Sequence, residues 1–539
     1  MKFDTLIRNG TVVDGTGSPG RVADLAVQGD RIVSVGEVGA SNAARVIDAT
    51  DLIVAPGFID IHTHSDVSLM LHPRCESKIL QGVTTDVTGN CSFSPFPLSP
   101  DRIDLHRDHL LRIGDGVPSL TWHDLDGYAE AVASDPPAFN AAPLAGHGTI
   151  RVAVMGVDQR EPTTSEIERM KGLLVQSLEQ GAFGMSTGLT HVPSAYGSEA
   201  EITELVRVVA SHDALYATHS RGGSGRPFGG TEEAIRTATA AGARLQSSHA
   251  AINHPDHWGR AADMLALIDE ARDGGLDVAL DVYPYDASSS SLTQYLPQWV
   301  QDGGTEAMRA RLAEPSVIEQ AQQELAAGWF GGIPWLWDRV VFDRTGPGAE
   351  WMVGLSIQEA ANRSGVTPAA LALRVCLDFG NYPRVVLFYR TEEDMMTFLA
   401  HPHAVVGSDG SALTLDQGGK RPHPRSFGTF PRIFGRYVRE KGVLSLPGAV
   451  RKTSGAVAER LRLTDRGYIR PGLAADIVVF DPDTVADRAT FQDPAQAPIG
   501  IPYVFVNGEI AVDGGDQTDA RAGRVLRRDR NQEGTRRGH

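Results

Sequence analysis

The sequence predicts an α/β fold: a (β/α)8 TIM barrel with a small β-sandwich domain formed from both termini and an inserted subdomain. Three observations predict this fold. Eight short apolar runs recur along the middle of the chain, helical patterns separate several of them, and similar β-rich segments precede and follow this region. The length of 539 residues is enough for one large barrel with additions.

The eight apolar runs have the length and the bounding turns of buried strands. They are 52–61, 82–90, 138–146, 181–189, 214–219, 244–249, 276–285 and 403–409. Segments 164–179 and 260–273 carry apolar residues three and four positions apart, which is the spacing of an amphipathic helix. The interval 286–402 is too long for one crossover, so we expect an inserted subdomain over the barrel mouth. Four aromatic residues there are expected either to shape a pocket or to pack structurally: Trp299, Phe330, Trp335 and Trp337.

Short strands with Asn-Gly and Gly-Asp turns occur at both ends of the chain, in 1–55 and again in 466–528. We expect these two ranges to form one β-sandwich domain beside a barrel of residues 56–465; two independent β modules are the alternative. Arginine recurs without lysine from Arg521 to Arg537. This pattern predicts a solvated terminus, with 529–539 as a basic tail.

The composition limits the partners and the compartment. The chain has 50 Lys and Arg against 67 Asp and Glu, a formal net charge of −17, which argues against nucleic acid or an anionic membrane as a partner. Three scattered cysteines favour a reducing compartment, the cytoplasm. Since no run of about 18 apolar residues occurs, no membrane span is predicted. The expected partner is a small molecule, and homo-oligomer formation is left open.

Potential metal ligands stand at the C-terminal ends of most predicted strands. In chain order they are His62, His64, Cys91, His147, His219, His249 and Asp409. The strand ends of a (β/α)8 barrel converge on one mouth, where its active sites are built. Imidazole nitrogens and a thiolate suit zinc. Each residue alone is compatible with a structural role, but their shared position predicts a metal site.

Several long motifs carry a resemblance to a known family. They include PGFIDIHTHSD (56–66), GVTTDVTGNCSFSPFP (82–97), ATHSRGG (217–223), DVYPYDASSSSL (281–292) and GSDGSAL (407–413). These motifs resemble the N-acyl-D-amino-acid deacylase (D-aminoacylase) family of the metal-dependent amidohydrolase superfamily, and the similarity extends over essentially the whole chain. The resemblance implies a zinc-bearing barrel with a small β domain. It also implies hydrolysis of N-acyl-D-amino acids to a carboxylic acid and a D-amino acid by metal-activated water.

The resemblance further implies which residues hold metal. The main zinc ligands of the family fall on Cys91, His219 and His249. His62 and His64 belong to a second, weaker metal position. The expected cofactor is therefore one tightly bound zinc ion, with a second and weaker site beside it.

The catalytic and substrate-binding positions of the family can be carried over in the same way. The catalytic carboxylate falls on Asp409, which would take a proton from water and deliver it to the leaving nitrogen. Arg221 and Tyr283 correspond to residues that hold the substrate carboxylate, and Ser290 and His191 are further candidate substrate-binding residues.

Two positions depart from the family pattern. His191 stands where the family usually has tyrosine, and Ala251 where it usually has lysine; both family side chains contribute to binding the substrate carboxylate. Arg221 could still clamp a carboxylate, and a protonated His191 could assist. The fourth predicted strand ends in GMSTGL, without the metal-bridging lysine of hydantoinase-like relatives, which favours the deacylase branch. The alternative is a dipeptide-like, cyclic or xenobiotic amide as substrate; a non-catalytic scaffold is less favoured.

Overall fold

The computed structural model describes residues 3–38, 43–222, 227–330 and 332–529. Its first two strands contain runs of three buried residues, with exposed residues at or near their ends. They are β1 (Phe3–Val12), β2 (Arg21–Gln28), β3 (Arg31–Gly36), β4 (Ala43–Asp48) and β5 (Ile53–Pro56). β1 pairs antiparallel with β2 and parallel with both β4 and β5.

The next strands form most of the barrel. They are β6 (Phe58–Asp60), β7 (Val83–Thr88), β8 (Asn140–Pro143), β9 (Ala145–Gly146), β10 (Gly184–Gly188), β11 (Leu215–His219), β12 (Arg244–Ser247) and β13 (Val278–Val282). β8 pairs with β7 and β9 with β10, so these two short segments act as one barrel strand interrupted at Leu144. All the observed pairings among these strands are parallel.

Helices follow the barrel strands and cover them. They are α1 (Ser68–Leu71), α2 (Glu76–Ile79), α3 (Ile103–Leu110), α4 (Leu125–Ser134), α5 (His147–Met155), α6 (Thr164–Glu179), α7 (Glu199–Ser211), α8 (Gly229–Ala241) and α9 (Ala261–Asp273). α6 begins at a capping box in which Thr163 and Glu166 satisfy each other's free backbone N–H groups. α6 and α9 match the two helices predicted from periodicity.

The region after β13 forms the inserted subdomain. It contains strands and helices with the following bounds: β14 (Ser288–Ser291), α10 (Thr305–Leu312), α11 (Pro315–Ala326), β15 (Val340–Arg344), α12 (Ile357–Ser364), α13 (Pro368–Phe379) and β16 (Arg384–Leu387). The three strands form an antiparallel sheet in the order β14-β16-β15. The helices pack on it around a separate apolar core that includes Leu325, Phe342 and Cys376.

The last barrel strand closes the ring. α14 (Glu392–Ala400) precedes β17 (Ala404–Val406), which pairs parallel with β13. Beyond β17, Asp409 N donates to His62 O at 2.7 Å, and His64 N donates to Gly410 O at 2.8 Å, so the eighth strand lies beside the first. Each of the eight predicted strand segments contains a barrel strand, and the predicted (β/α)8 barrel is confirmed.

The final helices and strands return the chain to the first sheet. They are α15 (Arg425–Arg432), which continues as a π-helix (Ile433–Glu440), α16 (Leu446–Thr453), α17 (Gly455–Leu461), β18 (Ile477–Phe480), β19 (Tyr503–Val506), β20 (Glu509–Asp513) and β21 (Asp516–Gln517). β18 pairs antiparallel with β5, which joins both ends in one nine-stranded sheet. The alternative of two independent β modules is therefore wrong. No helix in the described part of the chain has the length and apolar content to cross a membrane.

The segment after β21 differs from the prediction. Leu526 is buried, and its N–H donates to Ala141 O of β8 at 2.7 Å, while Ala141 N donates to Arg524 O at 2.9 Å. The Arg527 and Arg528 side chains donate to backbone carbonyls of the barrel. Arg521 and Arg524 are exposed, as expected of a solvated stretch, but the expectation is wrong for Gly523 and Leu526, which are buried because backbone pairing holds this segment on the barrel. Residues 530–539 of the predicted tail lie outside the described residues.

Candidate active site

The C-terminal ends of the barrel strands meet at a cavity of about 300 Å³. Five of the predicted metal-binding and catalytic residues line it: His64, Cys91, His219, His249 and Asp409. His62 is fully buried beside them. The inserted subdomain completes the wall with polar side chains of β14 and with the aromatic rings of Tyr295 and Phe330. Six side chains from distant parts of the sequence are therefore brought together.

Cys91 lies at the centre of this group. Its Sγ is 3.2 Å from His62 Nε2, 3.5 Å from His249 Nε2 and 3.7 Å from His219 Nδ1. β7 is followed by Gly89 and Asn90, and then by Cys91 and Ser92, whose positive φ angles of 51° and 75° make a sharp turn at the strand end. Burial raises the pKa of the Cys91 thiol, although His62 opposes this. A bound cation is a usual means by which such a thiol ionises.

For two of the imidazoles, neighbouring side chains determine which nitrogen faces Cys91. His219 Nε2 is 2.7 Å from Thr190 Oγ1, which leaves Nδ1 towards the sulfur. His62 Nδ1 lies 3.2 Å from Asp281 Oδ1, which leaves Nε2 towards the sulfur. With the outer nitrogen protonated, the inner nitrogen has a free lone pair and can bind a metal.

The donor atoms form two overlapping groups. Within each group all donor atoms lie within 4.8 Å of one another: His62, His64, Cys91 and Asp409 in the first, and Cys91, His191 and His219 in the second. Cys91 belongs to both groups. The arrangement therefore suits one metal ion, or two ions that share the thiolate as a ligand.

Asp281 supports this group from the end of β13. Its Oδ1 accepts a hydrogen bond from His249 N at 2.8 Å, and its Oδ2 accepts one from Gln246 Nε2 at 3.0 Å. His249 has a φ of 36°, which is strained for an L-residue and needs such support. One buried carboxylate thus positions both His249 and His62. Asp281 was not predicted as a site residue, although its place at a strand end before Tyr283 was a usable signal.

Asp409 is held as a carboxylate. Its Oδ2 is 2.6 Å from the Arg425 guanidinium, and its Oδ1 is 3.0 Å from His64 Nε2. Burial alone would raise the pKa of Asp409, but the Arg425 charge, together with His64 and other nearby imidazoles, holds that pKa well below its ordinary value. An ionised carboxylate next to the imidazole cluster can accept a proton.

A buried lysine fixes the backbone next to Asp409. Lys78 Nζ donates to Asp60 Oδ2 and to Ser408 Oγ, both at 2.7 Å, and Asp60 Oδ1 accepts from Ser408 N at 2.7 Å. This network joins α2, the first barrel strand and the eighth. Lys78 and Asp60 were not predicted, because a single lysine in the mixed stretch ESKILQ gives no sequence signal of its buried partner.

Two of the predicted substrate-binding residues line the cavity from β13 and β14. The Tyr283 ring is buried, and its hydroxyl has no hydrogen-bond partner of good geometry among the described residues. Ser290 Oγ donates to Gln294 Oε1, and Gln294 Nε2 donates to Thr190 Oγ1 at 2.8 Å. Since Thr190 also contacts His219, the inserted subdomain connects to the imidazole cluster through hydrogen bonds.

The other two predicted substrate-binding residues, Arg221 and His191, also line the cavity, but they are less able to bind an anion. Arg221 Nε is 3.0 Å from Glu233 Oε2, and its terminal nitrogens donate to the carbonyls of Ala195 and Gly197. For His191, burial and the nearby His219 lower the pKa well below its ordinary value. The His191 imidazole is thus neutral near pH 7, so the assistance expected from its protonated form is not available.

Some predicted residues lie away from the cavity. His147 begins α5, where its nitrogens contact Ser194 Oγ at 2.8 Å and Glu201 Oε1 at 2.9 Å. It belongs to a buried polar network and not to the site, which corrects its place among the candidate metal ligands. Of the four aromatic residues singled out in the insertion, only Phe330 lines the cavity. Trp335 and Trp337 stack on each other, and Trp299 donates to Glu324.

Comparison with known proteins agrees with this geometry. The model of the amidohydrolase family matches residues 45–512. The chain is 36% identical over 526 residues to a D-aminoacylase of Alcaligenes xylosoxydans xylosoxydans, with 98% of both chains covered. An N-acyl-D-glutamate deacylase of the same organism is also 36% identical, with 98% of this chain and 97% of the relative covered.

Solved structures give the same result. The structure of N-acyl-D-glutamate deacylase from Bordetella bronchiseptica, complexed with zinc and a phosphonate inhibitor, has a TM-score of 0.82 and 34% identity, covering 98% of this chain and 100% of that one. A D-aminoacylase structure has a TM-score of 0.81 and 37% identity at the same coverage. This protein therefore belongs to the amidohydrolase family, in the branch of the N-acyl-D-amino-acid deacylases.

Proposed function

We propose that this protein is a zinc-dependent hydrolase that cleaves the amide bond of N-acyl-D-amino acids, consuming water and releasing a carboxylic acid and a D-amino acid. The observation that carries the proposal is the cluster of three imidazoles around the Cys91 thiol, beside the ionised Asp409 and open to a cavity. The relatives named above, which are D-amino-acid deacylases, supply the substrate class.

The donor set fits zinc. In a tetrahedral site with ordinary bond lengths the ligand atoms lie about 3.3–3.8 Å apart, and the Cys91 Sγ to His219 and His249 distances are 3.7 and 3.5 Å. We propose these three residues as the main ligands, with His62 and His64 holding a second, weaker ion. When bound, zinc would lower the pKa of water and polarise the acyl oxygen.

The chain's own residues move the protons. Asp409, ionised and held by Arg425, takes the proton of the attacking water on a carboxylate oxygen. It then delivers this proton to the nitrogen of the breaking C–N bond, so that the amine leaves as a neutral group. His64, 3.0 Å from the same carboxylate, keeps Oδ1 directed into the cavity.

Asp281→Asn is expected to lower zinc affinity about 10- to 100-fold. The amide leaves no negative charge beside His62 and weakens the support of the His249 backbone. Zinc content after dialysis against a graded chelator measures the effect. Asp273→Asn, on an exposed residue at the end of α9, is the matched control. Equal zinc retention in both variants would show that Asp281 does not support metal binding.

A substrate panel tests the proposed activity. N-acetyl-D- and N-acetyl-L-forms of leucine, phenylalanine and glutamate are incubated with the zinc-loaded protein, beside a dipeptide and a cyclic amide, and the release of free amine is measured. We expect the D-forms to be cleaved fastest. Preferential cleavage of the cyclic amide or the dipeptide would favour the alternative substrates, and no turnover by zinc-loaded protein would contradict the activity.

We also propose that the protein works in the cytoplasm on a small-molecule substrate. Cys91, at the centre of the site, must stay a free thiol to bind metal, and all three cysteines are unpaired and buried. A reducing compartment preserves this state.

A further inference from the structure

One cation on the cavity wall has most of its hydrogen-bond donors unused. Arg390 follows β16 and lines the cavity, and its Nε donates to Asn253 Oδ1 at 3.3 Å. Among the described residues no carboxylate lies within ion-pair distance of it, and no acceptor contacts its two terminal nitrogens. A guanidinium with both terminal nitrogens free can bind a carboxylate through two parallel hydrogen bonds.

The other arginines near the cavity are already engaged. Arg221 contacts Glu233 and two carbonyls, and Arg425 is paired with Asp409. Arg384 donates to Arg112 O at 2.6 Å and to Ser289 Oγ at 3.3 Å. Ala251, also on the wall, carries no charge. Arg112, also on the wall, donates to Val192 O at 2.7 Å and to Gln301 Oε1 at 3.2 Å. Among the described arginines of the wall, Arg390 is therefore the one whose terminal nitrogens are free to receive an anion.

Arg390 is close to the reacting groups. Its guanidinium carbon lies 4.7 Å from the centre of the Tyr283 ring, and that of Arg425, which holds Asp409, lies 4.9 Å from the same centre. The Tyr283 hydroxyl has no partner of good geometry. In an N-acyl amino acid the α-carboxylate is separated from the scissile carbonyl carbon only by the nitrogen and the α-carbon. Arg390 and Arg425 both lie by the Tyr283 ring, so a carboxylate bound to Arg390 would be close to the Asp409–Arg425 pair. This short separation agrees with the short separation of the two groups in the substrate.

We propose that Arg390, assisted by the Tyr283 hydroxyl, binds the α-carboxylate of the substrate and makes N-acyl amino acids preferred over neutral amides. This inference rests on the proposed function. It assigns the anion-binding role to Arg390 and leaves Arg221 to hold the loop that carries Ala195 and Gly197. Because the carboxylate takes no part in bond breaking, its receptor contributes binding equally to the ground state and to the transition state.

The test compares an acid with its neutral isostere. For Arg390→Met we expect KM for N-acetyl-D-leucine to rise about 10- to 100-fold with kcat little changed. Turnover of N-acetyl-D-leucinamide is expected to stay at the wild-type rate. The KM of Arg390→Lys for N-acetyl-D-leucine is expected to lie between the values of the wild type and of Arg390→Met. Lysine keeps the positive charge but lacks the planar, two-pronged donor geometry of the guanidinium. Arg363→Met, on an exposed residue of α12, removes the same charge away from the cavity and should behave as wild type.

Four results would overturn the assignment. In the first, KM for the acid is unchanged in Arg390→Met. In the second, acid and carboxamide are impaired equally, as a purely structural role predicts. In the third, Arg221→Met alone raises KM selectively for the acid. In the fourth, the Arg390→Met effect appears with N-acetyl-D-glutamate and not with N-acetyl-D-leucine.

A binding measurement separates this inference from the proposed function. Calorimetry with zinc-loaded Asp409→Asn protein, in which turnover is suppressed, compares N-acetyl-D-leucine with its carboxamide, with and without Arg390→Met. Selective loss of affinity for the acid supports the Arg390 assignment even if the wild type cleaves none of the panel substrates. Equal affinities in both backgrounds would contradict it, whatever the wild type cleaves.

Discussion

Asp409→Asn is expected to reduce kcat by about 10²- to 10⁴-fold while zinc content remains at the wild-type level. Asparagine has nearly the same shape as aspartate, and it tolerates the φ of 54° found at this position. It cannot accept the proton of the attacking water. The loss therefore appears in kcat, measured with the best substrate of the panel, and zinc is measured on the same samples.

Asp338→Asn provides the control, since this carboxylate is exposed and lies in the inserted subdomain, outside the cavity. It should leave both zinc content and kcat unchanged. If Asp409→Asn kept zinc and near-full activity, Asp409 would not be the group that moves the proton.

Cys91→Ala is expected to lose most of the bound zinc and, with it, nearly all activity. The proposed zinc site has Cys91 at its centre, with nitrogen atoms of three imidazoles within 3.7 Å of its sulfur. The wild type should contain about one tightly held zinc per chain. Chelation should abolish its activity, and added zinc should restore it, whereas added zinc should restore little in Cys91→Ala.

Cys376→Ala removes a cysteine that is equally buried but packs in the separate core of the inserted subdomain. It should keep zinc and activity, with only a modest loss of stability from the missing sulfur. A Cys91→Ala protein with wild-type zinc content would show that the thiolate is not a ligand. A wild type that is fully active without metal would contradict the proposed chemistry as a whole.

The barrel and the centre of the site could be predicted from the sequence because each has a local signal. A buried parallel strand is a short apolar run, and residues at its C-terminal end reach the mouth whatever the rest of the chain does. His62, Cys91, His219, His249 and Asp409 were found in this way, and the structure brings them together. The same rule failed for His147, because a residue that begins a helix can turn its side chain away from the mouth.

What the sequence could not predict depends on contacts between distant segments. Lys78 meets Ser408, 330 positions away, and Asp409 meets Arg425 across a loop. Arg390 reaches the cavity wall only because of the way the inserted subdomain folds. The β-sheet and the separate core of this subdomain were not predicted from the sequence. Whether an arginine such as Arg221 is free or already paired is likewise decided by tertiary structure alone.

The pairing of both chain ends has a consequence for how this protein is made. β5 gains its second neighbouring strand only in β18, and β8 gains its last backbone partner only at Leu526. The ribosome must therefore release almost the whole chain before the first strands can be fully paired. Until then their edges are open to other chains, and such long-range pairing is slow. Synthesis of this protein in quantity should depend on chaperones that shield the amino-terminal strands until the carboxyl terminus emerges.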